Sequence, residues 1–255
     1  MCIRDRKDVK QPREAPLRLR RVLPGAQPAP QDEQPLPVVV ASLADGFEQQ
    51  EMAQRVWEAS QKAGIALMVG GLGEGIERPP EPAPTVLHLQ AAPMRATAGV
   101  RLKLSAAQQL MAQSSFYQAE RGRTLAVEDL PARFERLRLV ILQAPALGQT
   151  DARSEADYEE AALLRELAAV LFLKGVPCIV TIPPLPAEVA PAALAGLTAA
   201  LIRLHKAGGL DAERLSEAML AAVRQARQDV AAAFGQNAAA GFEAAWDLCL
   251  YAGGH

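Results

Sequence analysis

The chain has 255 residues, 50% of them apolar, with 27 basic and 29 acidic side chains and a formal net charge of -2. That length and apolar share suffice for one domain with a sizeable core and a tail. The near-balanced charge leaves no excess of Lys and Arg to hold phosphates, so neither nucleic acid nor membrane is expected as a partner.

Residues 1–6, Met-Cys-Ile-Arg-Asp-Arg, resemble a translated adapter fragment and are set aside from functional reasoning, with the native chain expected to begin further upstream. Arg18, Arg20 and Arg21 then precede Pro24, Pro28, Pro30 and Pro35 without hydrophobic periodicity. Residues 1–36 therefore read as a disordered, basic, proline-rich linker, and 37–255 as one domain.

Pro37-Val-Val-Val-Ala-Ser is a short β-branched run that reads as a buried strand. Met52, Val56 and Ala59, with Trp57 beside them, give 47–63 helical spacing, and 65–69 continues as a second strand. Gly70-Gly-Leu-Gly-Glu-Gly75 follows that strand, where a glycine-rich turn could present N–H groups to a phosphate. The residues after it, Ile76-Glu-Arg-Pro-Pro-Glu-Pro, cannot start a helix, so a flexible loop is expected, with small-ligand or nucleotide binding kept as an alternative.

Further strands are expected over 85–90, 137–143 and 176–182, with a helix over 154–174 between the last two. Helices over 189–206 and 211–234 follow, separated by Gly208-Gly209 as a left-handed stop and Asp211 as N-cap, and 246–251 reads as a last strand. The alternation of strands and helices predicts a mostly parallel sheet with helices on both faces. No apolar run approaches the roughly 20 residues of a membrane span.

Chemistry-bearing residues are sparse. There is no Gly-x-Ser-x-Gly elbow, no Walker loop and no His-Glu-x-x-His, so no cofactor and no metal are expected. Imidazole comes only from His88, His205 and His255. His205 fits a helix C-terminus, where its charge complements the dipole, whereas His88 stands in a strand near the expected active-site edge, where a lone histidine is more often a hydrogen-bonded core residue than a catalyst. Cys2, Cys178 and Cys249 lack the spacing of a disulfide framework or a zinc site, so a reducing, cytoplasmic compartment is the reading. Cys178 and Cys249 sit in apolar strands, where a thiol behaves as a small hydrophobe.

The order of segments resembles the CHAT family, caspase-like domains often attached to tetratricopeptide repeats. Thr85-Val-Leu-His-Leu-Gln-Ala-Ala-Pro is similar to the family strand that ends in a His-Gly pair, and Arg138-Leu-Val-Ile-Leu-Gln-Ala-Pro-Ala-Leu-Gly to the strand ending Leu-Ser-Ala-Cys-Glu-Thr-Gly. Leu171-Phe-Leu-Lys-Gly-Val-Pro-Cys-Ile-Val-Thr-Ile-Pro-Pro-Leu-Pro resembles the family's helix, glycine turn and strand, and Phe242-Glu-Ala-Ala-Trp-Asp-Leu-Cys-Leu-Tyr-Ala-Gly its final strand. The resemblance implies a caspase-like three-layer α/β sandwich. It also implies a His/Cys dyad, and here the family's catalytic histidine position falls on Ala92 and its nucleophile position on Pro145.

Peptide hydrolysis by such a dyad needs a thiolate to attack and an imidazole to move the proton, which methyl and pyrrolidine groups cannot do. The expectation is therefore a pseudo-peptidase that binds, regulates or scaffolds a protein partner, with an upstream repeat module in the native chain. The alternative from another class is an active cysteine endopeptidase with a displaced nucleophile, Cys178 or Cys249, and His88 as base.

Overall fold

The computed structural model describes residues 35–78, 81–95, 114–118, 123–127, 130–145, 155–182, 184–185 and 190–234. The expected strand over 246–251 and the residues Cys2, Cys249 and His255 lie outside them, as do residues 1–34 of the expected linker.

β1 (Val39–Ala44) is buried at all six positions, as a strand covered on both faces must be, and apart from Ser42 it is apolar, without a polar face. α1 (Phe47–Lys62) returns the chain to β2 (Ala66–Gly71), which pairs parallel with β1. β3 (Val86–Gln90), β7 (Leu139–Gln143) and β8 (Cys178–Ile182) complete a five-stranded sheet of order β2-β1-β3-β7-β8. All four neighbouring pairs are parallel.

Two apolar clusters line the two faces. On one, Val40, Val86, Leu139 and Cys178 share a register row and meet Ala53 and Trp57 of α1, α5 (Ala190–Lys206) and α6 (Ala212–Phe234). On the other, Leu43, Leu87, Leu89, Val140 and Leu142 meet α2 (Leu72–Glu77) and α4 (Glu155–Leu173). Helix α5 buries Leu194, Leu197, Leu201 and Leu204, a three-to-four-residue spacing that puts one stripe against the sheet. At about 2 kcal/mol for each fully buried side chain, that stripe holds the helix in place. The expected α/β architecture with helices on both faces is the one observed.

Two features depart from expectation. The glycine-rich segment is not a flexible loop: β2 ends at Gly71 and α2 begins at Leu72, before the prolines. Leu72 and Ile76, one turn apart, are both buried, and Gly75 lies so close to β1 that a Cβ there would fall 2.2 Å from Leu43 Cδ2. Burial of that pair outweighs the poor helix propensity of Gly73 and Gly75. Second, β4 (Pro93–Arg95), β5 (Ser114–Gln118) and β6 (Arg123–Ala126) form a separate antiparallel sheet, whose Phe116 enters the second cluster. The short helix α3 (Leu130–Arg133) then leads toward β7.

The turn between α5 and α6 forms as read, with Gly208 and Gly209 at φ of 106° and 121° and Asp211 Oδ1 accepting from the Arg214 N–H at 3.2 Å. Leu36, at the end of the expected linker, belongs to the fold. It exchanges two backbone hydrogen bonds with Leu210, of 3.0 and 2.7 Å.

Candidate functional site

The direction of the chain reverses between β1 and β3, since α1 carries it outward to β2 and α4 carries it the other way to β8. Crevices at the carboxyl ends of strands beside such a reversal are where open α/β sheets bind ligands. β3, which borders that reversal, and its neighbour β7 end on Gln90 and Gln143, which are register partners. The Ala91 N–H continues the pairing by donating to the Gln143 carbonyl at 3.3 Å, and the Ala144 N–H donates to Ile182 at 2.9 Å.

Ala92 and Pro145 each follow that register pair by two residues, just beyond the ends of β3 and β7. Both are half-buried. Neither residue carries a group that ionises.

His88 is elsewhere. It is the middle residue of β3 and fully buried, the hydrogen-bonded core residue that a lone strand histidine is expected to be, and not a group at the carboxyl edge. Three other elements converge on its ring. Ser42 Oγ of β1 lies 2.7 Å from Nδ1, the Trp57 indole N–H of α1 donates to the same Nδ1 at 3.2 Å, and Gln143 Oε1 of β7 lies 2.9 Å from Nε2.

An indole nitrogen only donates, so Nδ1 is unprotonated and Nε2 carries the hydrogen that Gln143 Oε1 accepts. Ser42 then donates its hydroxyl hydrogen to Nδ1 as well. Burial lowers the His88 pKa to about 4, against a smaller upward pull from the hydrogen bond to Gln143. The ring is thus a neutral core group held at both nitrogens, with no free nitrogen to serve as a base for an incoming substrate.

Cys178 is the first residue of β8, and burial pushes its thiol up to about 12. It shares a register row with Leu139 and Val86, whereas His88 aligns with Ile141 and Val180. A whole strand, β7, separates the two, and Cys178 stands at the amino end of its strand. The displaced pair Cys178/His88 is not assembled. His205 lies in the last turn of α5 as expected, near the Gly64 turn, where a Cβ on Gly64 would come 3.9 Å from its Nε2.

The residues that sequence reasoning passed over are Ser42, Trp57, Gln90 and Gln143. A signal existed for two of them: both central strands end in the same tripeptide, Leu89-Gln-Ala and Leu142-Gln-Ala. The amides do more than terminate strands. Because Gln143 must turn Oε1 toward His88, its Nε2 faces away, buried and without a hydrogen-bond partner, as is Oε1 of Gln90.

Among the described residues no group of three or more His, Cys, Asp or Glu stands close enough to hold a metal ion, and no helix is long and apolar enough to cross a membrane. Comparison with protein-family models, with curated proteins and with solved structures finds no match to this chain.

Proposed function

We propose that this chain is a catalytically degenerate, caspase-like domain of the CHAT type, a pseudo-peptidase that works by binding a protein partner in the cytoplasm. The observation that carries the reading is the pair Ala92 and Pro145, each two residues past the register partners Gln90 and Gln143 that end β3 and β7, at the two positions that the resemblance assigns to base and nucleophile. Losing either group alone removes nearly all covalent catalysis, and here both are replaced.

The described thiol and imidazoles do not supply a substitute. Cys178 is free, buried and protonated, and His88 is closed in by Ser42, Trp57 and Gln143. What the edge retains is shape and backbone: two parallel strand ends with buried amides behind them, a surface on which a peptide segment can lie without being cut.

The test is a cleavage screen of the purified chain against a mixed peptide library, with peptidyl electrophile labelling read by mass spectrometry. No cleavage and no labelling of the folded protein are expected. A thiol-dependent cleavage rate that disappears in Cys178→Ala or Cys249→Ala would overturn the proposal in favour of a displaced nucleophile.

A further inference from the structure

The two ends of the main sheet are finished differently. β8 is buried at all five positions, but β2, the opposite terminal strand, is partly exposed along its whole length. Among the described residues β2 pairs only with β1. Its sequence, Ala66-Leu-Met-Val-Gly-Gly71, holds no charge and no proline. Soluble proteins ordinarily blunt a sheet edge with lysine, proline, a bulge or a covering segment, because unpaired N–H and C=O groups are a template for another strand.

Both apolar clusters run out at this edge. Leu67 and Val69 are only partly buried against the first, together with Met52 and Val56 of α1, and Met68 is partly buried against the second. A Cβ on Gly70 would meet nothing within 4 Å.

We propose that β2 is a homodimer interface, in which a second copy of this chain adds its own β2 antiparallel across a two-fold axis at Met68. The strand is complementary to its own reverse. With Met68 opposite Met68, Leu67 faces Val69, Ala66 faces Gly70 and Ile65 faces Gly71, so no charges meet and every cross-strand pair is apolar or glycine. Leu67 and Val69 of each copy extend the first cluster of the other, and Met68 extends the second, which completes both apolar faces at once. The formal net charge of -2 opposes association of two copies only weakly. The two five-stranded sheets join into one, by an isologous contact that closes without propagating.

The proposal is independent of whether the carboxyl edge binds peptides. A six-residue edge falls short of a standard interface, which buries about 1,600 Å², so dissociation in the micromolar range is expected. Sedimentation velocity of the full chain, from about 1 to about 100 μM, reads this directly. Monomer converting to dimer with rising concentration is expected, and Val69→Lys should weaken the dimer about tenfold or more by setting two charges at the seam. Thermal melts of each variant check that its fold is intact.

The register has its own readout. Met68→Cys should give a disulfide-linked dimer on mild oxidation, identified as the residue-68 peptide joined to itself. Ala66→Cys should not, because its two copies would lie roughly 14 Å apart along antiparallel strands, beyond disulfide reach. A monomer at every concentration would overturn the proposal. So would a dimer that survives Val69→Lys and links no better through residue 68 than through residue 66.

Discussion

Trp57 donates its indole N–H to Nδ1 of His88 at 3.2 Å, and that single bond sets the polarity of a buried chain running from α1 through β3 to the end of β7. With Nδ1 bare, Nε2 must donate and Gln143 must accept, so three side chains share one orientation.

The first consequence is a pH dependence. Burial holds the His88 pKa at about 4, below its ordinary 6.5, so as pH falls the unfolded chain takes up this proton before the folded one does. Stability from this group is complete above about 6.5 and is lost progressively down to about 4, a total of about 3 kcal/mol. Urea denaturation at pH 7.5, 6 and 5 should show that fall, and His88→Leu should flatten its share of the slope.

The second concerns the amides. Gln143→Leu leaves the buried Nε2–H of His88 unpaired and should cost about 1–3 kcal/mol. Gln90→Leu removes an acceptor that already lacks a partner, so it should be neutral within about 1 kcal/mol or stabilising. Chemical denaturation of the two variants in parallel measures the difference.

The third lies at the other end of the sheet. Gly209 has φ of 121°, and a Cβ there would fall 2.3 Å from the carbonyl oxygen of Leu36. Gly208, at φ of 106°, has open space around it. Gly208→Ala should therefore lose about 1–2 kcal/mol, the left-handed penalty alone. Gly209→Ala should lose more, because it also breaks the two-way bridge of Leu36 to Leu210. Thermal melts rank the two.

The fourth uses the thiol. With its pKa pushed up to about 12 inside β8, Cys178 carries almost no thiolate at neutral pH and should resist iodoacetamide until the protein is unfolded in urea. Mass spectrometry of the residue-178 peptide, with and without urea, reads this. Rapid modification of the native protein would show that the strand opens.

The parallel sheet was legible because its strands are mostly apolar runs between turn residues, and the long helices because their apolar residues recur every three or four positions. The small sheet was not. Its strands are three to five residues long and include Ser114, Ser115, Gln118 and Arg123, and only Phe116 among its described side chains belongs to the core. α2 was hidden behind Gly73 and Gly75, although Leu72 and Ile76 carried the one-turn spacing that stabilises it. The setting of His88 was out of reach for a different reason: its partners lie 31, 46 and 55 residues away, on three other elements. Only the fold brings Ser42, Trp57 and Gln143 onto one ring.

The central claim is that Ala92 and Pro145 fill the two places of one missing dyad. Pro145→Cys, alone and combined with Ala92→His, tests it through the iodoacetamide alkylation rate at residue 145 as a function of pH. Alone, the introduced thiol should react as an ordinary one, with a pKa near about 8.5. Beside the introduced imidazole its pKa should drop and its rate at neutral pH should rise about tenfold, because the neighbouring cation stabilises the thiolate. Identical pH profiles for the single and double variants, in folded protein, would contradict the placement and with it the reading of this edge as a degenerate active site.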